Sequence, residues 1–331
     1  MVPGAPRQAR WRSPEPRRTL PAEVLDCILR TAFPRRRALH AEILTGGLRN
    51  ANFKLTLDDA PGVVVLRIYE HDPSLCRKEI DLLRVLRGSV PVPEVLHFEP
   101  RGLNGLPPFT LARWIEGVSF HELKHSGDRA AIAQAACSAG ETLAAIGRVR
   151  FEKPGWLGPG PAVGAPLLDG RDPVPHFIDL CLAQRLLQTR VPAEQRARVH
   201  DLTWRWAPRL GALDDDPRLV HGDFNRRNLL LRREPAGWQV AGVLDWEFAV
   251  SGSPLADLGS FLRYEKPHAP LAEPHFSEGY RSAGGRLPAD WRPLARLLAL
   301  AALCESLTHE DLPEPVIVEL VELLAAHCAP E

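Results

Sequence analysis

His221-Gly222-Asp223-Phe224-Asn225-Arg226-Arg227-Asn228 and, further on, Val243-Leu244-Asp245-Trp246-Glu247 decide how this chain reads. Their three oxygen-bearing side chains are spaced for holding magnesium against phosphates. Phosphoryl transfer needs charge neutralised and the attacking oxygen aligned with the leaving oxygen, with little covalent help. Asp223 is the residue to orient an attacking hydroxyl and take its proton, a contribution of roughly 10²–10⁴-fold in rate. Asn228, five residues on, offers a neutral amide oxygen to Mg²⁺. Asp245 offers a charged one, as suits a small hard cation that takes one or two carboxylates plus substrate phosphates. Leu229-Leu230-Leu231 and the run from Val240 to Trp246 read as apolar strands around a turn containing Pro235, Ala236 and Gly237. The hairpin they form returns Asp245 towards Asn228.

The spacing resembles the protein-kinase catalytic loop, His-x-Asp-x-x-x-x-Asn, with Asp245-Trp246-Glu247 where those enzymes have Asp-Phe-Gly. Gly222 after the histidine and Trp-Glu after the second aspartate shift the match. The pattern is similar to that of the aminoglycoside phosphotransferase and choline-kinase-like family of small-molecule kinases. Gly252-Ser253-Pro254-Leu255-Ala256-Asp257-Leu258 resembles the same family's Gly-x-Pro-x-x-Asp-Leu segment, in which the Asp has a structural role. The resemblance spans about residues 40 to 310. It implies an α+β, two-lobed, protein kinase-like fold with a mainly β amino-terminal lobe and a mainly helical carboxy-terminal lobe. It further implies transfer of the γ-phosphoryl group of Mg²⁺-bound ATP or GTP to a hydroxyl of a small molecule. Asp223 is then the base, His221 braces the loop, Asn228 and Asp245 bind metal, and Glu247 assists metal or acceptor binding.

Composition agrees with such an enzyme. A chain of 331 residues with 45% hydrophobic residues suggests two lobes rather than one core. The expected division is 1–18 as a disordered extension rich in Arg and Pro, 19–112 as the nucleotide-binding lobe, and 113–331 as the catalytic and acceptor-binding lobe. Forty-one basic and 41 acidic side chains balance, so nothing draws nucleic acid or an anionic membrane as a bulk partner. Six cysteines are scattered without a Cys-x-x-Cys pair or zinc-type clustering with His, which fits a reducing compartment. No run approaches the ~20 apolar residues of a membrane span, and the amino terminus has no apolar signal core. A cytoplasmic protein is expected.

In the first lobe, Phe53, Leu55 and Leu57 alternate with polar residues as a half-buried strand does. Ahead of it, Gly46 and Gly47 permit the positive φ and close backbone approach of a phosphate-covering flap. The stretch Gly46-Gly47-Leu48-Arg49-Asn50 is similar to the family's Gly-Gly-x-x-Asn element, which adds Asn50 to the nucleotide side. Val63 to Tyr69 is rich in β-branched residues and interrupted only by Arg67. The resemblance puts Arg67 where protein kinases carry a phosphate-contacting Lys, paired with Glu79 on a helix from about Pro73 to Leu86. Arg keeps the charge but not the geometry of Lys. Extended segments follow at Val90 to Leu96 and Phe109 to Ile115. By resemblance the latter is the hinge between lobes, where backbone groups near Leu111 and Arg113 meet the purine.

Helical patterns are expected at Arg129 to Arg148, Val174 to Thr189, Ala193 to Leu210, and from Pro293 as first helical residue through Leu307. The carboxy-terminal segment from Ala301 is acidic, with Glu319 and Glu322 about one turn apart. Two other readings stand beside the kinase. His121-Glu122-Leu123-Lys124-His125 matches the His-Glu-x-x-His helix of zinc hydrolases, although Lys124 is unusual there and Ser126-Gly127-Asp128 breaks the helix at once. A nucleotide-binding regulatory module without turnover is the third.

Overall fold

The computed structural model describes residues 19–44, 50–167, 172–266 and 269–328. Helix α1 (Ala22–Ala32) precedes an antiparallel sheet of β1 (Ala38–Ile43), β2 (Ala51–Leu57), β3 (Val63–Ile68), β4 (Val95–Glu99) and β5 (Phe109–Arg113). The spatial order is β1-β2-β3-β5-β4. Successive strand residues point to opposite faces, so Phe53, Leu55, Val64, Leu66 and Ile68 close a core with Ile28 and Leu29 of α1. The same alternation turns Arg67, paired in register with Asn52, to the other face.

Helix α2 (Leu75–Leu86) packs Cys76 and Ile80 against Tyr69 at the end of β3 in a small cluster of their own. Its Leu82 and Leu86 join Phe120, Phe224, Leu229 and Trp246 in the larger, mainly helical core, so α2 bridges the lobes. The larger lobe continues through β6 (Val118–Ser119), α3 (Phe120–Lys124), α4 (Arg129–Ile146), β7 (Gly155–Trp156), α5 (Pro173–Leu182), α6 (Arg185–Arg190), α7 (Ala193–Arg205), α8 (Ala207–Gly211) and β8 (Arg218–Val220). It closes with the hairpin β9 (Leu229–Glu234) and β10 (Gly237–Val243), then β11 (Val250–Gly252), α9 (Leu255–Leu262), α10 (His275–Ser282), α11 (Trp291–Ser306) and α12 (Glu314–Cys328). Two glycines let α4 and α10 cross closely. A Cβ on Gly140 would stand 2.0 Å from the Phe276 oxygen, and one on Gly279 2.1 Å from the Cys137 oxygen.

Three helical expectations are corrected. The run from Val174 to Thr189 breaks at Ala183-Gln184, with Gln184 extended. Leu182 and Leu187 both enter the large core, whereas in one helix, at about 100° per residue, they would point roughly 140° apart. The run from Ala193 to Leu210 breaks at Trp206, because Pro208 lacks an N–H and its ring would clash with the preceding turn. Helix α11 begins at Trp291, so Pro293 is its third residue and still within the turn whose N–H groups lack intrahelical partners. The extended segment from Val90 becomes a strand at Val95, and ahead of it the Pro91 carbonyl accepts the Val243 N–H of β10 at 2.8 Å. Among the described residues no helix is long and apolar enough to cross a membrane.

Candidate active site

Strand β8 delivers His221 into the core with no exposure at all. Its Nε2 faces the Leu244 carbonyl at 2.9 Å, and its Nδ1 accepts the Asp223 N–H at 3.2 Å. With one nitrogen accepting, the other must carry the proton, so the ring is the neutral Nε2–H tautomer. Burial holds its pKa down to about 4, although Asp245 and the Leu244 bond pull upward. The imidazole thereby ties the loop to the residue before Asp245. Below it, Asp257 on α9 accepts the N–H groups of His221 at 2.7 Å and Gly222 at 3.0 Å. Burial pushes the Asp257 carboxyl up to about 7 against the lowering effect of those donors. Gly222 is required here: its φ is +83°, and a Cβ would lie 2.3 Å from the Phe248 oxygen.

Asp223 is held from both sides. Asn225 Nδ2 donates to Oδ1 at 2.7 Å, and Asn228 Nδ2 donates to Oδ2 at 2.8 Å and to the Asp223 carbonyl at 2.9 Å. Burial raises the Asp223 carboxyl above its ordinary pKa; Asp245 reinforces the rise, while Asn225, Arg263 and Asn228 oppose it. With the Asn228 nitrogen so engaged, its side-chain oxygen is the atom left to bind a cation. The hairpin pairs Val243 with Leu229, and the Leu244 N–H meets the Asn228 carbonyl at 2.9 Å, which brings Asp245 to the same end. Asp245 has a φ of +66°, an uncommon left-handed conformation for a residue with a Cβ.

The loop after β10 and helix α2 converge on Arg67 of β3. Its Nη2 donates to Asp245 Oδ1 at 2.6 Å and to Glu247 Oε2 at 3.3 Å. Its Nε lies 3.3 Å from Glu79 Oε2, without hydrogen-bond geometry. Burial alone would lower the Arg67 pKa, but Glu79, Asp245, Tyr69 and Glu247 together raise it well above the ordinary value. Glu79 also accepts the Trp246 N–H at 2.9 Å and the Tyr69 hydroxyl. Three carboxylates outnumber the one guanidinium, and the buried Lys78 ammonium also acts on Glu79 and Glu247. Asp245, with the Asn228 amide oxygen at the same end of the hairpin, offers oxygen donors of the kind Mg²⁺ takes.

Sequence reasoning missed two participants. Lys78, 5% exposed, donates Nζ to the Glu247 carbonyl at 2.8 Å, and burial draws its ammonium down to about 8. A lysine on an amphipathic helix gives no sign of this. Asn225 was legible, since Asx side chains commonly bond backbone two residues on; its Oδ1 accepts the Arg227 N–H at 2.8 Å. Asn50 is buried and donates to Glu247 Oε2 at 2.9 Å, while its own Oδ1 has no partner among the described residues. Gly46 and Gly47 lie outside the described residues.

Leu111 is wholly buried between β3 and β4. The Arg113 N–H donates to the Glu94 carbonyl at 2.9 Å, its side chain binds Glu94 Oε2 at 2.7 Å, and the Trp114 N–H goes to Val63. These bonds occupy the Arg113 and Trp114 N–H groups and the Arg113 Nε. His121 and His125 are not placed as zinc ligands. Glu122 closes a capping box, accepting from the Ser119 N–H at 2.7 Å and hydroxyl at 2.8 Å, and His125 Nδ1 faces the His121 carbonyl at 2.7 Å. Among the described residues no group of three or more His, Cys, Asp or Glu is placed to hold a metal.

A family model described as "Phosphotransferase enzyme family" matches residues 40–312. Among solved structures, the chain is similar to aminoglycoside phosphotransferase APH(4)-Ia in ternary complex with AMP-PNP and hygromycin B, with a TM-score of 0.61 and 21% identity over 91% of this chain and 94% of that one. It is also similar to the GDP complex of aminoglycoside 2'-phosphotransferase-IIIa, with a TM-score of 0.66 and 17% identity over 91% and 96% of the two chains. At these identities the likeness carries the protein kinase-like fold. Acyl-CoA dehydrogenase family member 11 of Gallus gallus is 47% identical over 45 residues, 14% of this chain, and that of Homo sapiens 29% identical over 94 residues, 28% of it. The matches span only 6% and 11% of the length of those two proteins.

Proposed function

The chain belongs to the phosphotransferase enzyme family, and on that premise we propose that it transfers the γ-phosphoryl group of Mg²⁺-bound ATP or GTP to a hydroxyl of a small molecule. The observation that carries the proposal is the double tie of Asn228 to Asp223. One amide nitrogen fixes the carboxylate that faces the acceptor and, in the same stroke, leaves the amide oxygen for metal. Asn228 and Asp245 would hold Mg²⁺, which supplies neutralisation of phosphate charge when bound. We assign the nucleotide-binding lobe to 19–112 and the catalytic lobe to 113–331, with the purine edge against backbone groups near Leu111 and Arg113.

Each step then falls to residues of this chain. Asp223 accepts a hydrogen bond from the attacking hydroxyl and takes its proton as the new P–O bond forms and the bond to the nucleoside diphosphate breaks. Its raised pKa makes it a better proton acceptor than an open carboxylate. Arg67 keeps Asp245, Glu247 and Glu79 together despite their like charge and presents its guanidinium to the phosphates. His221, neutral and buried, holds the loop at a fixed distance from Asp245 without joining the proton transfer.

The test is diphosphate release with Mg·ATP or Mg·GTP against hydroxylated amines, amino acids, hydroxy acids and sugars. Acceptor-dependent release should fall at least 100-fold in Asp223→Asn. Tight nucleotide binding with no release from any acceptor would point instead to a regulatory module.

A further inference from the structure

Helix α2 grips the turn after β10 at the two peptide groups that flank the Trp246–Glu247 bond. Glu79 accepts the Trp246 N–H at 2.9 Å, and Lys78 Nζ donates to the Glu247 carbonyl at 2.8 Å. The first of these peptides is the one that leaves Asp245, whose φ is +66°. An aspartate stays in that region only where its surroundings over-determine it. On the entering side, the Leu244 carbonyl faces His221 Nε2 at 2.9 Å and the Leu244 N–H meets the Asn228 carbonyl at 2.9 Å. The loop from His221 to Asn228 thus fixes the chain that enters Asp245, and α2 fixes the chain that leaves it.

Lys78 is the unusual member of this arrangement. It is 5% exposed, and lysine is seldom buried so far without a partner. Its ammonium is directed to a main-chain carbonyl, so what it restrains is the backbone of the turn. The helix that carries it is itself anchored in the large lobe. Leu82 and Leu86, one and two turns on from Lys78, lie in the large core. Asp81 Oδ2 accepts the Gly160 N–H at 3.0 Å from the loop after β7, and Arg77 at 2.8 Å and Arg84 at 3.3 Å hold the same carboxylate. A restraint on the turn from α2 is therefore a restraint relative to Asn228 and Asp223.

We propose that Lys78 is a positioning residue for the metal site: together with Glu79 it holds the chain after Asp245, and so keeps the Asp245 carboxylate where Mg²⁺ would be bound. The inference rests on the kinase reading above and adds to it a residue that acts through the backbone. Groups that orient a metal ligand from behind typically weigh about 10- to 100-fold in metal affinity.

The experiment measures the dissociation constant of AMP-PNP, or of its guanine counterpart, without acceptor, in Mg²⁺ and in chelator. The proteins are wild type, Lys78→Met, Lys78→Arg and Asp245→Asn. The ratio of the constant in chelator to that in Mg²⁺ reads what the metal contributes. Lys78→Met should lower this ratio at least about 10-fold and leave the constant in chelator near wild type. Lys78→Arg, which keeps a charged donor, should restore part of the ratio. Loss of the positive charge by itself would favour a cation and raise the ratio, so the sign separates positioning from simple electrostatics. Both constants refer to folded protein, so a loss of folded protein changes the amplitude and not the ratio; Lys78→Gln carries the same comparison should Lys78→Met fail to fold. A ratio at or above wild type in Lys78→Met would overturn the inference, while a ratio lowered in Asp245→Asn would leave the kinase reading standing. A wild-type ratio near one, unmoved in Asp245→Asn, would remove the metal site and this inference with it.

Discussion

Replacing Arg67 by Met should be the most informative single change to the charge cluster, since Met keeps the stem and removes the guanidinium. Glu79 and Glu247 are 4% and 6% exposed, and Asp245 Oδ1 accepts from Arg67 Nη2 at 2.6 Å. Without the cation, three carboxylates face one another with little water. Breaking a buried ion pair on one side costs about 3–5 kcal/mol. For a protein of this size, at about 2 °C per kcal/mol, Tm should fall roughly 6–10 °C in chelator. Added Mg²⁺ should return part of the loss, because binding at 100 times Kd stabilises by about 2.7 kcal/mol. Wild type should gain less, since there Arg67 already occupies one Asp245 oxygen. The assay is thermal and urea unfolding of both proteins in chelator and in saturating Mg²⁺. A variant melting within about 2 °C of wild type in chelator, or an equal Mg²⁺ response in both, would refute the claim that Arg67 neutralises these acids.

Two further outcomes follow from particular contacts. Burial lowers the His221 pKa from 6.5 to about 4, so the unfolded chain binds the extra proton between those values; the stability is present in full above 6.5 and is lost, up to about 3 kcal/mol, as pH falls through 4. Asp257, raised to about 7, acts with the opposite sign over the same window and His327 with the same sign, so the measurement is the difference in pH slope between wild type and His221→Gln, and parallel slopes would contradict the assignment. Gly279→Ala places a methyl 2.1 Å from the Cys137 oxygen and should cost roughly 1–3 kcal/mol in denaturant unfolding; a loss under about 0.5 kcal/mol would mean that α4 and α10 separate easily.

The sequence by itself determined what short-range pattern encodes. Alternation located β2, β-branched content located β3, the apolar runs around Pro235 to Gly237 located the β9–β10 hairpin, and the fixed spacing within His221 to Asn228 placed Asp223 beside Asn228. The Ser119-to-Glu122 capping box was equally legible, and reading it first would have removed Glu122 from the zinc motif. Tertiary structure alone decided the rest. Arg67 meets Asp245 across 178 residues of chain, and Glu79 reaches the Trp246 N–H across 167. Lys78 is buried only because α2 docks against both lobes. Periodicity tells a residue which face it shares, while Coulomb energy depends on which faces the folded lobes bring together. A charged side chain on a strand or helix therefore reads as solvated until packing supplies its partner.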